Sequence, residues 1–306
     1  MSLLARIKGV GPSGFGFGST ADDVTEGLDL RGRTMLVTGC NSGIGLETVR
    51  TLAKRGVHVF ATGRTEEKAR EACAALGPEV VPLACELSDP ASVRACIDTV
   101  KRQIRALDAI ICNAGIMALP KLERAFGYEL QFFTNHMGHF LLVTGLLDSL
   151  AEDGRVVMVS SEAQKGAPKE GIEFDNLSGE RSYSPWKAYG QSKLANLLFA
   201  KELAKRFTST KKTANAVHPG VIRTNLGRSM PAFMRVALSI GEPLFLKSAA
   251  QGAATQCYVA TNPKLATVSG AYFADCNVAE STPISRDAAL AARLWSESER
   301  IAATLR

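Results

Sequence analysis

The chain is poor in the patterns that build metal centres and disulfide frameworks. Its seven cysteines (Cys40, Cys73, Cys85, Cys96, Cys112, Cys257, Cys276) are odd in number, scattered and without a CxxC pair, and its four histidines (His58, His136, His139, His218) make no HExxH pattern. No metal is expected, and the thiols read as the reduced cysteines of a cytoplasmic protein. A dense basic stripe interleaved with aromatics is also missing. The net charge of +6 comes from Lys and Arg spread along the chain, so no nucleic-acid partner is expected. No apolar run is long enough to cross a bilayer, and Met1 to Val10 is too short for a signal segment. What the chain does have is 306 residues of 46% hydrophobic content, enough to bury one full core in a single α/β domain.

Residues 1–32 stand apart from the rest of the chain. Their Gly11-Pro-Ser-Gly-Phe-Gly-Phe-Gly18 run reads as an irregular strap on the domain surface or a disordered arm. Periodicity begins at Thr34, and residues 33–306 read as the domain proper. The short apolar run Met35 to Val37 suits a buried parallel strand; the glycine-rich turn Thr38 to Gly45 and an amphipathic run to Gly56 come next. In that turn Gly39, Gly43 and Gly45 let the backbone bend and approach a pyrophosphate, and Asn41, Ser42 and Ile44 lie at a helix N-terminus that offers free N–H groups to phosphates. The second strand, Val57 to Ala61, ends in Thr62-Gly63-Arg64. An NAD site places an acid here for the ribose hydroxyl, whereas arginine accommodates a 2′-phosphate. Arg64 therefore favours NADP(H) over NAD(H), although Glu66 and Glu67 stand close by.

The alternation continues with a helix over Glu66 to Leu76, a strand Val80 to Ala84, a helix from Pro90 to Ile104 with proline in its first turn, and a strand Asp108 to Cys112. Asn113-Ala114-Gly115 then supply small residues for a cleft floor. A long helical segment from Glu123 to Leu150 carries Asn135, and the fifth strand, Arg155 to Val159, ends in Ser160-Ser161. This pattern predicts a Rossmann-like doubly wound parallel sheet of about seven strands with helices on both faces, and catalytic groups at the strands' C-terminal ends. A last strand near Ala271 to Phe273 and a helix from Ser285 to Ile301 close the domain.

Tyr189-Gly-Gln-Ser-Lys193 opens a helical run to Phe207. Positions i and i+4 share a face, so the phenol and the ammonium emerge together, and a neighbouring cation favours phenolate. Such a pair can serve as a general acid/base. By itself it is also what ordinary packing beside a solvated amine produces.

Together, the Thr38 to Gly45 turn, Asn113 to Gly115, Asn135, the serine after the fifth strand, the YxxxK of Tyr189 and Lys193, and Pro219-Gly220 resemble the short-chain dehydrogenase/reductase family from about Arg33 to Gly270. Glu173 to Leu177, Ala188 to Phe199 and the Gly-Phe-Gly strap resemble its branch of retinol dehydrogenases and the WW-domain oxidoreductase, here without WW domains. The resemblance implies that Tyr189 exchanges a proton with the substrate oxygen and that Lys193 tunes it while holding the nicotinamide ribose. It further implies that Ser161 donates to the substrate oxygen and that Asn135 holds helix backbone and a relay water. A pleated strand points Ser160 and Ser161 to opposite sides, and the family pattern selects Ser161. Glu86 stands where the family has an Asp before Leu87 to meet the adenine, and Ile222 and Thr224 lie after Pro219-Gly220, toward carboxamide and phosphates.

An insertion at 162–185 is expected to wall the substrate cleft, with Trp186 beside it as a lining residue or ordinary packing. Residues 225–247, rich in Met, Phe and Leu, read as a mobile apolar lid, or as a contact for a partner or a membrane surface. The implied function is NADP(H)-dependent hydride transfer between nicotinamide and a carbonyl or alcohol of an apolar small molecule. The alternative is a catalytically idle NADP-binding interaction or redox-sensing protein; epimerase or dehydratase chemistry is a third class, on longer chains. A homodimer packed through the two long helices is the family's common assembly.

Overall fold

A computed structural model describes residues 9–222 and 246–305. In chain order the strands are β1 (Thr34–Thr38), β2 (His58–Gly63), β3 (Val80–Ala84), β4 (Leu107–Cys112), β5 (Arg124–Ala125), β6 (Tyr128–Glu129), β7 (Leu150–Val159), β8 (Thr213–His218), β9 (Tyr272–Ala274) and β10 (Asn277–Val278). Eight of them form the main sheet, in the order β10-β9-β8-β7-β4-β1-β2-β3, and β5 pairs with β6 apart from it. All neighbours in the main sheet are parallel except the short β10 on β9, which brings the strand count to eight. The central strands are buried on both faces, the reason they read as continuous apolar runs. Two buried apolar clusters, one on each face, enclose the sheet.

The strand order switches direction between β1 and β4, and this switch point opens a crevice at the C-terminal strand edge. The glycine turn after β1, Arg64 after β2, Asn113 after β4, Ser160-Ser161 after β7 and Pro219 after β8 all line that edge. The strap lies on the same body. Asn277 bonds Ser13 N and Phe15 O, the Phe15 ring meets Tyr258 edge-on, and Phe17 is buried.

Two elements differ from the sequence expectation. The segment Glu123 to Leu150 is not one helix. It starts as the β5–β6 hairpin, turned by Phe126 and Gly127, which both have positive φ. Leu130–Phe132, a π turn Phe133–Met137 and a helix Gly138–Leu146 come after it. Tyr189 does not open its helix either: the helix runs Pro185–Arg206, with proline at the first position. The two long helices are also enclosed within the chain. Every residue from Tyr189 to Ala200 and from Gln131 to Phe140 is buried, because the C-terminal helix Ala288–Thr304 lies over both. Its Trp295 stacks on Phe199, meets Phe140 edge-on and carries the Arg206 guanidinium 3.9 Å over its ring.

Candidate active site

The floor of the crevice is held by one hydroxyl. Thr38 Oγ1, at the end of β1, accepts from Asn113 N at 3.0 Å and Ala114 N at 2.9 Å. Asn113 Nδ2 donates to Thr38 O at 2.8 Å. Gly39 has φ +78°, and a Cβ on it would meet Ala114 Cα at 2.9 Å. A Cβ on Gly45 would run into the carbonyl of Gly39 and the Asn113 amide. The backbone thus packs as closely as a dinucleotide turn requires. The helix Gly43–Lys54 starts beside it, and Ser42 at its N-cap spends no side-chain bond on capping, which leaves hydroxyl and free amides for phosphate. Asn41 Oδ1 lies over Gly63. These residues fit a nicotinamide dinucleotide.

Arg64 is exposed. Of its two acidic neighbours, Glu66 is drawn to Arg70 and Glu67 to the Thr65 cap of its own helix, so among the described residues no ion pair occupies Arg64. Glu86 is spoken for: its Oε1 accepts from Ser88 N at 3.1 Å and Ser88 Oγ at 2.8 Å. Leu87 is buried beneath Gly138. Glu86 thus closes its own turn. Ile222 pairs with Lys247 in a parallel bridge, and its side chain reaches Gly252 beside Ile44. Gly220 is covered by the Lys247 stem. Thr224 and nearly all of the expected lid at 225–247 lie outside the described residues.

Asn135 and Lys193, two of the four expected catalytic side chains, meet at Gly115, and Tyr189 and Ser161 join them through Lys193, which lies against the Tyr189 ring, and through the neighbouring Ser161 hydroxyl. A Cβ on Gly115 would stand 3.0 Å from Asn135 Oδ1 and 3.3 Å from Lys193 Nζ. Asn135 sits in the π turn, where Gly138 N donates to Phe133 O five residues back, a local widening often found at functional sites. Its amide clasps Ile116 in both directions, Ile116 N to Oδ1 at 2.8 Å and Nδ2 to Ile116 O at 2.9 Å, and donates to Ser192 Oγ. The two serines diverge. Ser160 Oγ turns back to Lys193 O at 2.7 Å, fully buried. Ser161 is half-buried, caps the short turn after it through Ala163 N, and has its hydroxyl close enough to the Tyr189 phenol to lower that group's pKa.

The electrostatics depart from the simple pairing argument. Lys193 Nζ donates to Val159 O at 3.1 Å and lies 5.6 Å from the centre of the Tyr189 ring, under its face. Burial pushes the Tyr189 phenol up to about 12, opposed by the nearby Ser161 hydroxyl, and pushes Lys193 down to about 8. The expected depression of the tyrosine by the lysine is absent because the ammonium reaches past the ring to a carbonyl rather than to the phenol oxygen. A buried ammonium has three N–H donors and Val159 O takes one, so donors remain for the hydroxyls of a ribose.

Two buried residues at the site carry no local signature. His139 joins the Thr38 hydroxyl to the Asn135 carbonyl. Gln256, on the helix Ala249–Thr261, donates to Thr48 Oγ1 at 2.5 Å and Asn113 Oδ1 at 3.3 Å. The only advance hint of the first is a histidine four residues after Asn135; Gln256 has none, since its partners are remote in sequence. Among the described residues, no cluster of His, Cys, Asp and Glu could hold a metal, and no helix is long and apolar enough to cross a membrane.

Comparison with known proteins agrees with this geometry. The short chain dehydrogenase family profile matches residues 33–234. The chain is 40% identical to "Short-chain dehydrogenase TIC 32 A, chloroplastic" of Brassica napus over the whole of both chains. It is 38% identical to human retinol dehydrogenase 14, covering 88% of this chain and 86% of that one. The crystal structure of an uncharacterized protein from Mycobacterium Paratuberculosis superposes with TM-score 0.76 at 33% identity, covering 93% of this chain and 97% of that one. The chain belongs to the short-chain dehydrogenase/reductase family, in its retinol-dehydrogenase-like branch, and is a nicotinamide-dependent oxidoreductase of alcohol and carbonyl groups.

Proposed function

We propose that the chain is an NADP(H)-preferring oxidoreductase of an apolar carbonyl or alcohol, with Asn135, Ser161, Tyr189 and Lys193 as its catalytic set. The observation that carries the reading is the meeting of Asn135 and Lys193 at Gly115, with Lys193 against the Tyr189 ring and Ser161 beside its phenol, on the sheet edge that also holds the glycine turn. Bound nicotinamide supplies or accepts the hydride. Ser161 and Tyr189 share the substrate oxygen as donors, stabilising the charge that grows there. In reduction the phenol O–H breaks and its proton forms the product hydroxyl; in oxidation the flow reverses. Lys193, hydrogen-bonded to Val159 O under the ring, keeps N–H donors for the ribose of a bound nicotinamide, and Asn135 holds the helix turn beside it. Asn41, Ser42 and Ile44 would hold phosphates with the glycine turn, Asn113 to Gly115 the floor, and Pro219 to Ile222 the carboxamide side.

Arg64 supports the preference for NADP(H), being exposed at the end of β2 and, among the described residues, without an ion-pair partner. An apolar substrate is supported by Trp186, 45% exposed and edge-on to the Tyr189 ring at 6.2 Å, by exposed Val221 after Gly220, and by the relatives named as retinol dehydrogenases. Seven free, buried thiols support a reducing compartment, the cytoplasm being the simplest. The test is titration with NADPH and NADH, then a screen of hydrophobic aldehydes, ketones and retinoids with wild type and Tyr189→Phe. Turnover that survives Tyr189→Phe refutes the mechanism. Tight cofactor binding without turnover on any carbonyl would favour an idle binding module.

A further inference from the structure

We propose that His139 is a positioning residue that ties the dinucleotide turn to the main-chain carbonyl of Asn135, as a neutral imidazole that donates at Nδ1 and accepts at Nε2. This role rests on the catalytic set proposed above and adds to it a residue that touches neither substrate nor cofactor.

The ring is fully buried. Its Nδ1 lies 2.8 Å from Asn135 O and its Nε2 2.9 Å from Thr38 Oγ1. A carbonyl only accepts, so Nδ1 must carry hydrogen. Thr38 Oγ1 already accepts from Asn113 N and Ala114 N, so its lone pairs are used and its one hydrogen is free to give. Nε2 is therefore the acceptor, and the tautomer is fixed by counting donors and acceptors alone. A second proton on the ring would face a hydroxyl with nothing left to accept it. Burial acts in the same direction, pushing His139 down to about 4, with the charge of Lys193 adding to the effect; the Asn135 carbonyl opposes it. His136, the other titratable neighbour, is itself pushed down to about 3 by burial.

The consequence concerns the placing of Asn135. The π turn widens the helical ladder here, and the His139 ring adds a side-chain hold on the Asn135 carbonyl, steadying the residue whose side-chain amide stands with Lys193 at Gly115. The same ring holds the hydroxyl that holds the crevice floor. The crevice floor and Asn135 are one hydrogen-bonded unit, spanning Asn113, Thr38, His139 and Asn135.

Two variants separate the halves of this unit. In His139→Asn the amide reaches only as far as Nδ1 and can still donate to Asn135 O. In His139→Gln the amide reaches the place of Nε2 and can still bond Thr38, but withdraws the donor from Asn135. The expectation is that His139→Gln lowers kcat about tenfold, with KM and the NADPH dissociation constant changed less than about threefold, while His139→Asn keeps kcat within about threefold. Equal loss in both, with cofactor affinity and melting temperature falling in parallel, would mean a purely structural residue and overturn the proposal. So would full activity in His139→Gln. Independently of folding in the variants, nitrogen-15 NMR of the wild type should show His139 as the neutral Nδ1–H tautomer from about pH 6 to 9; the Nε2–H tautomer or an imidazolium overturns the assignment. Tyr189→Phe distinguishes the two failures: if it leaves turnover intact, the catalytic set is wrong, whereas a dead Tyr189→Phe with an indifferent His139→Gln rejects His139 alone.

Discussion

Replacing Lys193 by methionine should destroy the activity and stabilise the protein. The side chain is 3% exposed, and burial lowers its pKa from 10.5 to about 8. A difference of that size converts to about 3 kcal/mol by which the protonated lysine disfavours the fold at neutral pH. Methionine has similar length and volume and no charge to desolvate. The bond it forfeits is to Val159 O, and that carbonyl keeps a second donor, Asn196 Nδ2 at 3.2 Å, so the loss is at most about 1 kcal/mol. The net expectation is a gain of about 2 kcal/mol at pH 7, read by urea unfolding of the cofactor-free protein, with a rise of roughly 5 °C in melting temperature. The pH dependence is the sharper check. A lysine whose folded pKa lies below its unfolded value costs stability while protonated, so the wild-type penalty is full below about pH 8. It shrinks as pH rises toward 10.5, because over that window the unfolded chain binds more protons than the folded one. The advantage of Lys193→Met should therefore fade between pH 8 and 10.5. A Lys193→Met protein less stable than wild type at pH 7, or one whose advantage is flat across this window, would refute the view that Lys193 is an uncompensated buried cation.

Arg64→Ala should weaken NADPH binding by about tenfold or more and leave NADH within about threefold, since a charge-assisted bond to the 2′-phosphate is the only contact removed; fluorescence titration of both nucleotides measures it. Ser160→Ala and Ser161→Ala should part company. The first loses the buried bond to Lys193 O and about 1 kcal/mol of stability with kcat little changed, while the second loses about 100-fold in kcat beside about 1 kcal/mol from its cap on Ala163 N; equal kinetic effects would deny the division. Light scattering should return the monomer mass of 32.6 kDa, because Trp295 and its helix cover the faces a dimer would use. Trp295→Ala, which empties the contact with Phe140, Phe199 and Arg206, should cost about 3–5 kcal/mol.

The parts of the site legible in the sequence were those specified by backbone. A glycine turn after an apolar run has one use in a parallel sheet, and strand alternation places every strand's C-terminal end on one edge, so Gly39, Arg64, Asn113, Ser161 and Pro219 could be brought together before any coordinates. Element boundaries failed where a few residues with unusual torsions interrupt an otherwise helical pattern. Phe126 at positive φ turns a hairpin inside what looks like continuous helix, and the π turn at Asn135 leaves no mark in the spacing of apolar residues. Helical spacing puts the tyrosine and lysine on one face, but which oxygen the ammonium chooses depends on Val159 O, contributed by another strand.

That last dependence is general to the helix carrying Tyr189. A helix exposed on one side announces its buried stripe by period, whereas this one is enclosed by the C-terminal helix on one side and the sheet on the other. Its polar residues are then inside, and each is tolerable only because it finds a partner. Gln191 Oε1 accepts from Glu173 N at 2.8 Å, Ser192 Oγ accepts from Asn135 Nδ2 at 2.9 Å, and Lys193 and Asn196 share Val159 O. These partners come from the insertion, the π turn and β7, three segments remote in sequence. A polar run of Gln-Ser-Lys on an isolated helix would be its solvated face. Here burial makes the same run an internal face, the one that carries the proposed catalytic pair, and the cover supplied by Trp295 and its helix helps keep an ammonium with spare donors out of water.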